Sequence, residues 1–199
     1  MNTAWVVVTD VSEANELVTT ANAKLHCRVD GTDEDATMAI YRTAARQYIE
    51  ALTGCRIGSQ TWDYQQEDWT DEMWLPGAPL ISVTSLKYFD AAGAEQTVAT
   101  SDYRVDTMSA PGRVEWVHGT SFPTLQSSRA LPITVRYVCG YTATTLPKPL
   151  YQAILLLTGH LFEHRQAVIT GTIQTPISFA VQALCGPYLA PWREPRVCA

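Results

Sequence analysis

The stretch LPKPLYQAILLLTGHLFEHRQ, residues 146–166, decides the fold. Proline suits the first turn of a helix, because the N–H that it lacks would have no partner there. Pro147 and Pro149 therefore mark a helix start. Apolar residues follow on almost every side, and such a helix has to be packed by other elements or by neighbouring subunits. The stretch predicts a central helix over residues 149–166.

Two earlier segments have the pattern of helices that could cover this central one. Thr19 can cap a short helix over residues 19–27, and Thr32 with Asp35 can form a capping box for a helix over residues 33–53. Intervals of three and four residues place one set on a single apolar face: Met38, Tyr41, Ala45, Tyr48, Ile49 and Leu52. We expect the opposite face to be polar, with Arg42, Arg46, Gln47 and Glu50. Since no helix buries its face alone, the three should form a small bundle.

Between these helices the apolar pattern changes to that of strands. Short segments rich in β-branched and aromatic residues are separated by turn residues such as Gly93 and Pro111. These segments are residues 81–89, 96–98, 103–105, 113–117 and 133–138. They predict a small antiparallel β unit over about residues 56–141, inserted into the helical bundle. The predicted fold class is α+β.

The two ends of the chain have a different character. Residues 1–16 are interpreted as an N-terminal extension, residues 17–166 as the main domain, and residues 167–199 as a C-terminal part. That part should hold a short helix within residues 176–188, followed by an extended tail with several prolines. Aromatic and arginine side chains are frequent interface anchors, and prolines lower the entropy cost of ordering an extended segment. With Trp192 the tail predicts docking on a partner, and a frayed terminus is the alternative.

Composition narrows the functions open to the chain. Its 199 residues are 46% hydrophobic and carry a formal net charge of −6. Duplex DNA binders usually have a basic patch, and no run of Lys and Arg occurs, so we expect no sequence-specific DNA binding. We expect neither a secretory signal nor a membrane span, because the longest apolar run is only residues 153–157. The five cysteines have no paired spacing, which favours reduced, mostly buried thiols in a cytosolic product.

The pattern H-x-x-E-H lies at the end of the predicted central helix, in His160, Glu163 and His164. In one class of metalloproteases this pattern supplies two zinc ligands and a general base. A catalytic zinc site needs a third protein ligand, and the only acidic residue after the motif is Glu194, in the tail. The simpler interpretation is the polar end of a helix, where the helix dipole favours cationic side chains. A zinc-dependent hydrolase remains the alternative.

Residues 62–74, WDYQQEDWTDEMW, combine acidic and aromatic side chains. Their carboxylates could bind a hard cation, but the spacing lacks the glycine and the final glutamate of a calcium loop. We interpret the segment as a solvated acidic edge whose Trp62, Trp69 and Trp74 pack inward or against a partner. No nucleophile elbow, phosphate loop or dinucleotide fingerprint occurs. The residues therefore predict no enzyme, no metal and no cofactor, and a monomeric module with a ligand in the β unit is a further alternative.

Several short segments, taken in their order and spacing, resemble one family. They are Val18-Thr19, Ala23-Lys24, Arg28-Val29-Asp30, residues 44–54 (AARQYIEALTG), 60–62 (QTW), Leu75-Pro76, 79–85 (PLISVTS), 102–106 (DYRVD), 135–137 (VRY), Gly140-Tyr141, 153–157 (AILLL), His160, Glu163, Ala183-Leu184 and 191–193 (PWR). Over about residues 17–193 the chain resembles the head–tail connector, or adaptor, proteins of long-tailed bacteriophages and of phage-derived gene transfer agents. It departs from their pattern at Asn22 and in residues 1–16.

The resemblance implies a structural role at the head–tail junction of a virion or virion-like particle. Copies of such proteins form a ring, typically of twelve, beneath the portal protein, and they extend the channel through which DNA is ejected. They also offer a surface to the next component, the stopper or tail-side neck protein. The implied chain is made in the bacterial cytoplasm, needs no cofactor or membrane, and lets DNA pass without sequence-specific binding.

The same resemblance suggests which residues make contacts in the particle. In these proteins the C-terminal segment tends to contact the portal, which points to Tyr188, Trp192, Arg193 and Arg196. The broad apolar surface of the central helix points to contacts with a neighbouring subunit at Leu155, Phe162 and Arg165. The family often has a His-x-x-Glu pair on that helix without the second histidine, which makes a shared metal function improbable.

Overall fold

A computed structural model describes residues 2–165 and 178–189 of the chain. The chain divides into two compact units. The β unit comprises Met1–Asn15 and Gly58–Tyr141, and the helical unit comprises Glu16–Ile57 and Thr142–Ala199. Within the described residues there are four α-helices and eight strands in two antiparallel sheets. The predicted α+β class is confirmed.

The helical unit contains four α-helices in the described part of the chain. They are α1 (Thr20–Cys27), α2 (Asp35–Thr53), α3 (Lys148–Glu163) and α4 (Ser178–Cys185). Helices α2 and α3 pack on each other, and α4 packs on α3. The predicted central helix is therefore confirmed, and its buried side chains include Leu150 and Ile154. No described helix is both long and apolar enough to cross a bilayer.

The helix ends follow the sequence signals in part. The Thr19 hydroxyl accepts a hydrogen bond from the Asn22 N–H at 3.2 Å, as an N-cap should. Gly54 ends α2 with φ of 77°, a left-handed conformation that glycine adopts without steric cost. The predicted capping box does not cap α2, because the helix begins at Asp35 with Glu34 as its N-cap residue. The Asp35 carboxylate instead pairs with Lys24 at 2.5 Å. That pair joins α1 to the first turn of α2.

The end of α3 differs from the prediction. The helix was expected to reach Gln166, which lies outside the described residues, but it ends at Glu163. His164 has φ of −113° and ψ of 71°, so its backbone has left the helical conformation. Its N–H still donates to the His160 carbonyl at 2.9 Å, which satisfies one of the last carbonyls of α3.

The polar face of α2 is largely buried, although Gln47 on that face is exposed. Arg42, Arg46 and Glu50 are all enclosed, whereas Tyr48 of the predicted apolar face is half exposed. The Arg46 Nε donates to Glu16 at 3.0 Å, and the Arg46 Nη1 lies 3.1 Å from Glu50. Buried charges persist only when they are paired and hydrogen-bonded. Residue spacing predicts that this face is polar, but it cannot distinguish a solvated face from one that buries ion pairs.

Glu50 also organises the chain beyond the end of α2. Its carboxylate accepts the Ile57 N–H at 2.7 Å and lies 3.7 Å from Arg56. Burial raises the pKa of Glu50, and the neighbouring arginines and the Ile57 N–H oppose that rise. This hydrogen bond fixes the backbone at Ile57, the last residue of the first of the two segments that form the helical unit.

The β unit contains a five-stranded sheet in the order β1-β2-β8-β4-β5 and a three-stranded sheet in the order β3-β7-β6. The strands are β1 (Thr3–Thr9), β2 (Gln60–Gln66), β3 (Glu72–Leu75), β4 (Leu80–Phe89), β5 (Glu95–Thr97), β6 (Tyr103–Asp106), β7 (Gly112–Trp116) and β8 (Ile133–Cys139). All pairings are antiparallel. Five strands match predicted segments, and β1, β2 and β3 were not predicted as strands.

An aromatic cluster forms one part of the β core. Trp69 makes an edge-on contact with Trp116, with ring centroids 5.0 Å apart, and stacks on Phe122. Its indole N–H donates to the Pro123 carbonyl at 2.8 Å. A buried tryptophan usually needs such an acceptor. The inward packing expected for Trp69 is therefore present.

The other two tryptophans of the acidic segment diverge. Trp62 is buried in β2, and its indole N–H donates to Gln60 at 3.0 Å. Trp74 is half exposed, and the Arg113 guanidinium lies 4.9 Å from its ring centroid. A cation over an aromatic face is attracted by the ring quadrupole. The solvated side of this segment therefore carries an aromatic ring as well as carboxylates.

Candidate interaction surfaces

The H-x-x-E-H motif lies at the end of α3. The rings of His160 and His164 have centroids 4.6 Å apart and meet at 61°. Burial lowers the pKa of His160, and His164 acts in the same direction while Glu163 opposes both. Within residues 2–165 and 178–189, no group of three or more His, Cys, Asp or Glu side chains could hold a metal ion. The hydrolase alternative thus gains no support from this geometry.

The motif packs against the end of α1. A Cβ at Gly159 would lie 3.5 Å from the His26 ring and 3.6 Å from the Cys27 sulfur. Burial raises the pKa of Cys27, and the nearby Glu163 carboxylate adds to the rise. A thiol with a raised pKa is a poor nucleophile at neutral pH. These polar residues therefore join α1 to α3 within one subunit.

The three residues predicted to contact a neighbouring subunit differ in exposure. Leu155 is only 7% exposed and lies in the core of its own helical unit. Arg165 is exposed, and it forms an ion pair with Glu34 at 2.9 Å while its guanidinium lies 4.8 Å from the Phe162 ring centroid. Arg165 thus already has partners within the chain. Contact with another subunit at these residues stays a prediction, with Phe162 and Arg165 as the accessible ones.

The residues predicted to contact the portal are only partly described. Tyr188 ends a 3-10 turn, Gly186–Tyr188, and is half-buried. Its carbonyl accepts a weak hydrogen bond from the Cys55 thiol at 3.7 Å. Trp192, Arg193 and Arg196 lie outside the described residues.

Four cysteines lie in the described part of the chain. Cys27, Cys55, Cys139 and Cys185 form no disulfide within those residues, and all except Cys27 are buried. Burial raises the pKa of Cys185 to about 11, with a smaller contribution from Cys55. A thiol that stays protonated at neutral pH neither attacks substrates nor binds metal readily.

A surface that the sequence interpretation missed lies on β1. Trp5 is 57% exposed, and Val6, Val7 and Val8 are also exposed. Four consecutive apolar side chains on both faces of one strand are unusual for a soluble surface. The run WVVV is a usable strand signal, but the sequence interpretation treated residues 1–16 only as an N-terminal extension and left their role open.

Other exposed apolar side chains are scattered over both units. The most accessible are Leu25 on α1, Ile40 on α2, Met108 after β6 and Phe179 on α4. Single exposed apolar residues are normal on protein surfaces. The β1 residues differ because they are contiguous.

Three solved structures resemble the chain over nearly its whole length. The neck of an empty gene transfer agent particle, computed with C6 symmetry, is 28% identical with a TM-score of 0.76 and covers 93% of this chain and 94% of that one. This chain is similar to a neck protein. The neck of a native particle, computed with C12 symmetry, is 28% identical with a TM-score of 0.73 over the same shares. The virion of a native gene transfer agent is 27% identical with a TM-score of 0.72, covering 92% and 94%.

These likenesses bear on function as well as fold. No protein-family model and no curated protein matches the sequence. The similar structures cover both chains almost completely, and they all belong to one kind of particle. They support a structural neck component of a phage or gene transfer agent particle, located in the virion.

Proposed function

We propose that the chain is the head–tail connector, or adaptor, of a phage or gene transfer agent particle. Copies form a ring beneath the portal protein, extend the DNA channel and join the capsid to the neck and tail. The observation that carries the proposal is the likeness to neck chains along 93% of this sequence, in particles computed with sixfold and twelvefold symmetry.

A ring requires head-to-tail contacts between copies. Such contacts use two different surfaces of one subunit, and they close when the rotation between neighbours divides a full turn. A specific interface usually buries about 800 Å² on each partner. The exposed apolar side chains supply candidate surface for such contacts. Twelve copies is the number that the family resemblance implies.

Passage of DNA needs a channel to which phosphates do not bind. The formal net charge of −6 suits such a channel, because carboxylates repel the DNA backbone and let it slide. The segment after β2 has four exposed carboxylates, and any of them that face the channel would contribute: Glu67, Asp68, Asp71 and Glu72.

Attachment to the portal is assigned to the C-terminal segment. Tyr188 is part of the described fold, and the proposed contacts continue through Trp192, Arg193 and Arg196. The opposite side of the ring would then meet the stopper or tail-side neck protein.

The test is an image of the assembled particle together with a tail deletion. Cryo-electron microscopy of purified particles should show a ring of this chain between the portal and the tail-side neck proteins. Deleting residues 191–199 should weaken attachment to the portal and leave the thermal unfolding temperature unchanged. Trp192→Ala in the full chain tests the anchor by itself. A chain that stays monomeric both alone and with its portal would overturn the adaptor role.

A catalytic role is not proposed. The motif that suggested one, His160 to His164, packs within the helical unit and has no metal-binding cluster around it in the described residues. Metal analysis of the purified chain separates the two interpretations. Stoichiometric zinc that is lost on His160→Ala would contradict the structural role of the motif.

A further inference from the structure

The five-stranded sheet has an unprotected border at β1. This strand pairs only with β2, from Thr3 opposite Gln66 to Thr9 opposite Thr61. Its other side faces no strand in the described part of the chain. An edge strand presents a row of unpaired N–H and C=O groups, which form a template for another strand.

The composition of β1 favours pairing. Proteins usually protect an edge strand with charged residues, proline or very short length. The sequence TAWVVVT has seven residues with no charge and no proline, and its valines and tryptophan have high β-propensity. Its apolar side chains are exposed on both faces. An uncharged, apolar edge strand of this kind is expected to be covered by another polypeptide in an assembly.

The opposite border of the same sheet is open in its first half. Strand β4 runs from Leu80 to Phe89, but β5 pairs only with its last three residues, Lys87–Phe89. The outer side of residues 81–85 faces no strand in the described ranges. This segment, ISVTS, is uncharged, and Ile81, Ser82 and Thr84 are exposed. Its register with β8 shifts between Leu80 and Ser82 and between Val83 and Ser85, so a strand added here would pair around these two irregularities.

We propose that β1 of one copy pairs with the outer side of β4, residues 81–85, in the next copy. The inference rests on the proposed ring and deepens it by naming the contact between neighbours. One sheet then continues from subunit to subunit, in the manner of strand addition to a sheet edge.

Two features favour a second copy as the occupant over another partner. The two open segments are different surfaces on opposite borders of one sheet, which is the arrangement that a head-to-tail contact needs. Neither segment carries a charge that would repel the other or leave an ion unpaired at the contact. Pairing of β1 with β1 would instead give a twofold dimer, which cannot build a ring.

Photo-cross-linking in assembled particles tests the contact. A benzophenone amino acid replaces Trp5, and the chain is expressed in cells that produce particles. Irradiated particles should yield a covalent dimer whose cross-linked peptide contains residues 81–85. The same amino acid in place of Met108, which is exposed after β6, measures the amount of non-specific cross-linking.

The outcomes separate the inference from the proposed function. Particles that contain the chain but give no dimer, a link from β1 to β1, or a link to a different protein would overturn the inference alone. Absence of the chain from particles would overturn the adaptor role and the inference with it.

A charge variant gives an independent readout. Val6→Lys with Val8→Lys introduces the kind of side chain that protects natural edges. We expect at least about tenfold fewer copies per particle, with unchanged thermal unfolding of the purified chain. Ala92→Lys, in the exposed turn before β5, adds charge to the same unit and should be incorporated normally. Normal incorporation of the β1 variant would contradict the proposed pairing.

Discussion

The two units stabilise their interiors in different ways. The helical unit encloses Glu16, Arg46 and Glu50, with bonds of about 3 Å between charged groups. The β unit keeps its charge pairs nearer water, and its core is an apolar and aromatic cluster. The pair between Asp63 and Arg136 shows the contrast, because the arginine side chain remains 47% exposed.

The difference predicts different responses to substitution. Removing one member of a buried ion pair leaves an uncompensated charge, which costs more than the pair contributes. A core of apolar side chains loses stability in proportion to the volume and contacts removed. Five of the six tryptophans lie in the β unit and none in the described part of the helical unit. Tryptophan fluorescence therefore reports mainly on the β unit, and circular dichroism at 222 nm reports mainly on the helices.

The largest effect is expected for Arg46→Ala. The substitution removes the guanidinium that lies 3.0 Å from buried Glu16 and 3.1 Å from buried Glu50, so the free energy of unfolding should fall by about 3–5 kcal/mol. Urea unfolding followed by circular dichroism at 222 nm measures the change. Arg46→Lys keeps the charge and should lose less. A loss below about 1 kcal/mol for Arg46→Ala would mean that the buried network does not stabilise the helical unit.

A smaller effect is expected in the β unit for Tyr137→Phe. The Tyr137 hydroxyl donates to the Pro76 carbonyl at 2.7 Å, and its ring is fully buried. Loss of the hydroxyl leaves a poorly solvated acceptor and should cost about 1–3 kcal/mol. Fluorescence-detected urea unfolding measures the loss. Tyr103→Phe is the matched control, because Tyr103 is also buried in the β unit and its hydroxyl forms no hydrogen bond within the described residues. Equal losses in both variants would contradict this assignment.

The surface pair of Lys87 and Glu95 should contribute little. The two groups lie 2.7 Å apart across β4 and β5, but both side chains are more than 40% exposed. Because water screens the attraction, an exposed ion pair of this kind contributes about 0–1 kcal/mol to the free energy of unfolding. A double-mutant cycle with Lys87→Ala and Glu95→Ala measures the coupling energy. A coupling energy above about 2 kcal/mol would mean that this exposed pair stabilises the fold as a buried pair does, which would contradict the prediction.

Asp90 in the β unit and Glu50 in the helical unit should respond to acid in opposite directions. Hydrogen bonds from the Gln96 side chain and from backbone N–H groups lower the pKa of Asp90, so its contribution to stability is present above its ordinary pKa and is lost as pH falls. The raised pKa of Glu50 has the opposite sign, because the folded state then binds the proton more tightly. Below about pH 4 the β unit should lose stability. Asp90→Asn should flatten the fluorescence-detected pH dependence, and an unchanged slope would contradict the prediction.

The elements that the sequence predicted are those with strong local signals. Helix α2 begins within two residues of its prediction and ends at the predicted residue, and α3 has prolines at its start and an apolar surface on almost every side. Five strands follow β-branched runs bounded by turn residues. Strand β2, QTWDYQQ, was missed because polar residues such as Gln60 and Gln66 are buried in it.

The candidate surfaces were less predictable than the fold. The buried Arg46 network depends on Glu16, thirty residues away, and no local pattern reveals such a pairing. Strand β1 depends on β2, more than fifty residues later in the chain. The zinc motif shows the reverse case, since a local match predicted chemistry that its surroundings do not supply. The spacing of residues along one helix or strand does not show which residues of a distant segment will contact it.

The long separation between β1 and its partner has a consequence for synthesis. Thr9 leaves the ribosome 57 residues before Gln66, which completes β2. At about 5–20 residues per second, β1 waits roughly 3–11 s before its partner strand exists. The first strand to be made thus stays without its partner strand until β2 is complete, and the rest of the sheet follows later in the chain. The nascent chain must keep this apolar segment from other polypeptides while the first part of the helical unit is translated.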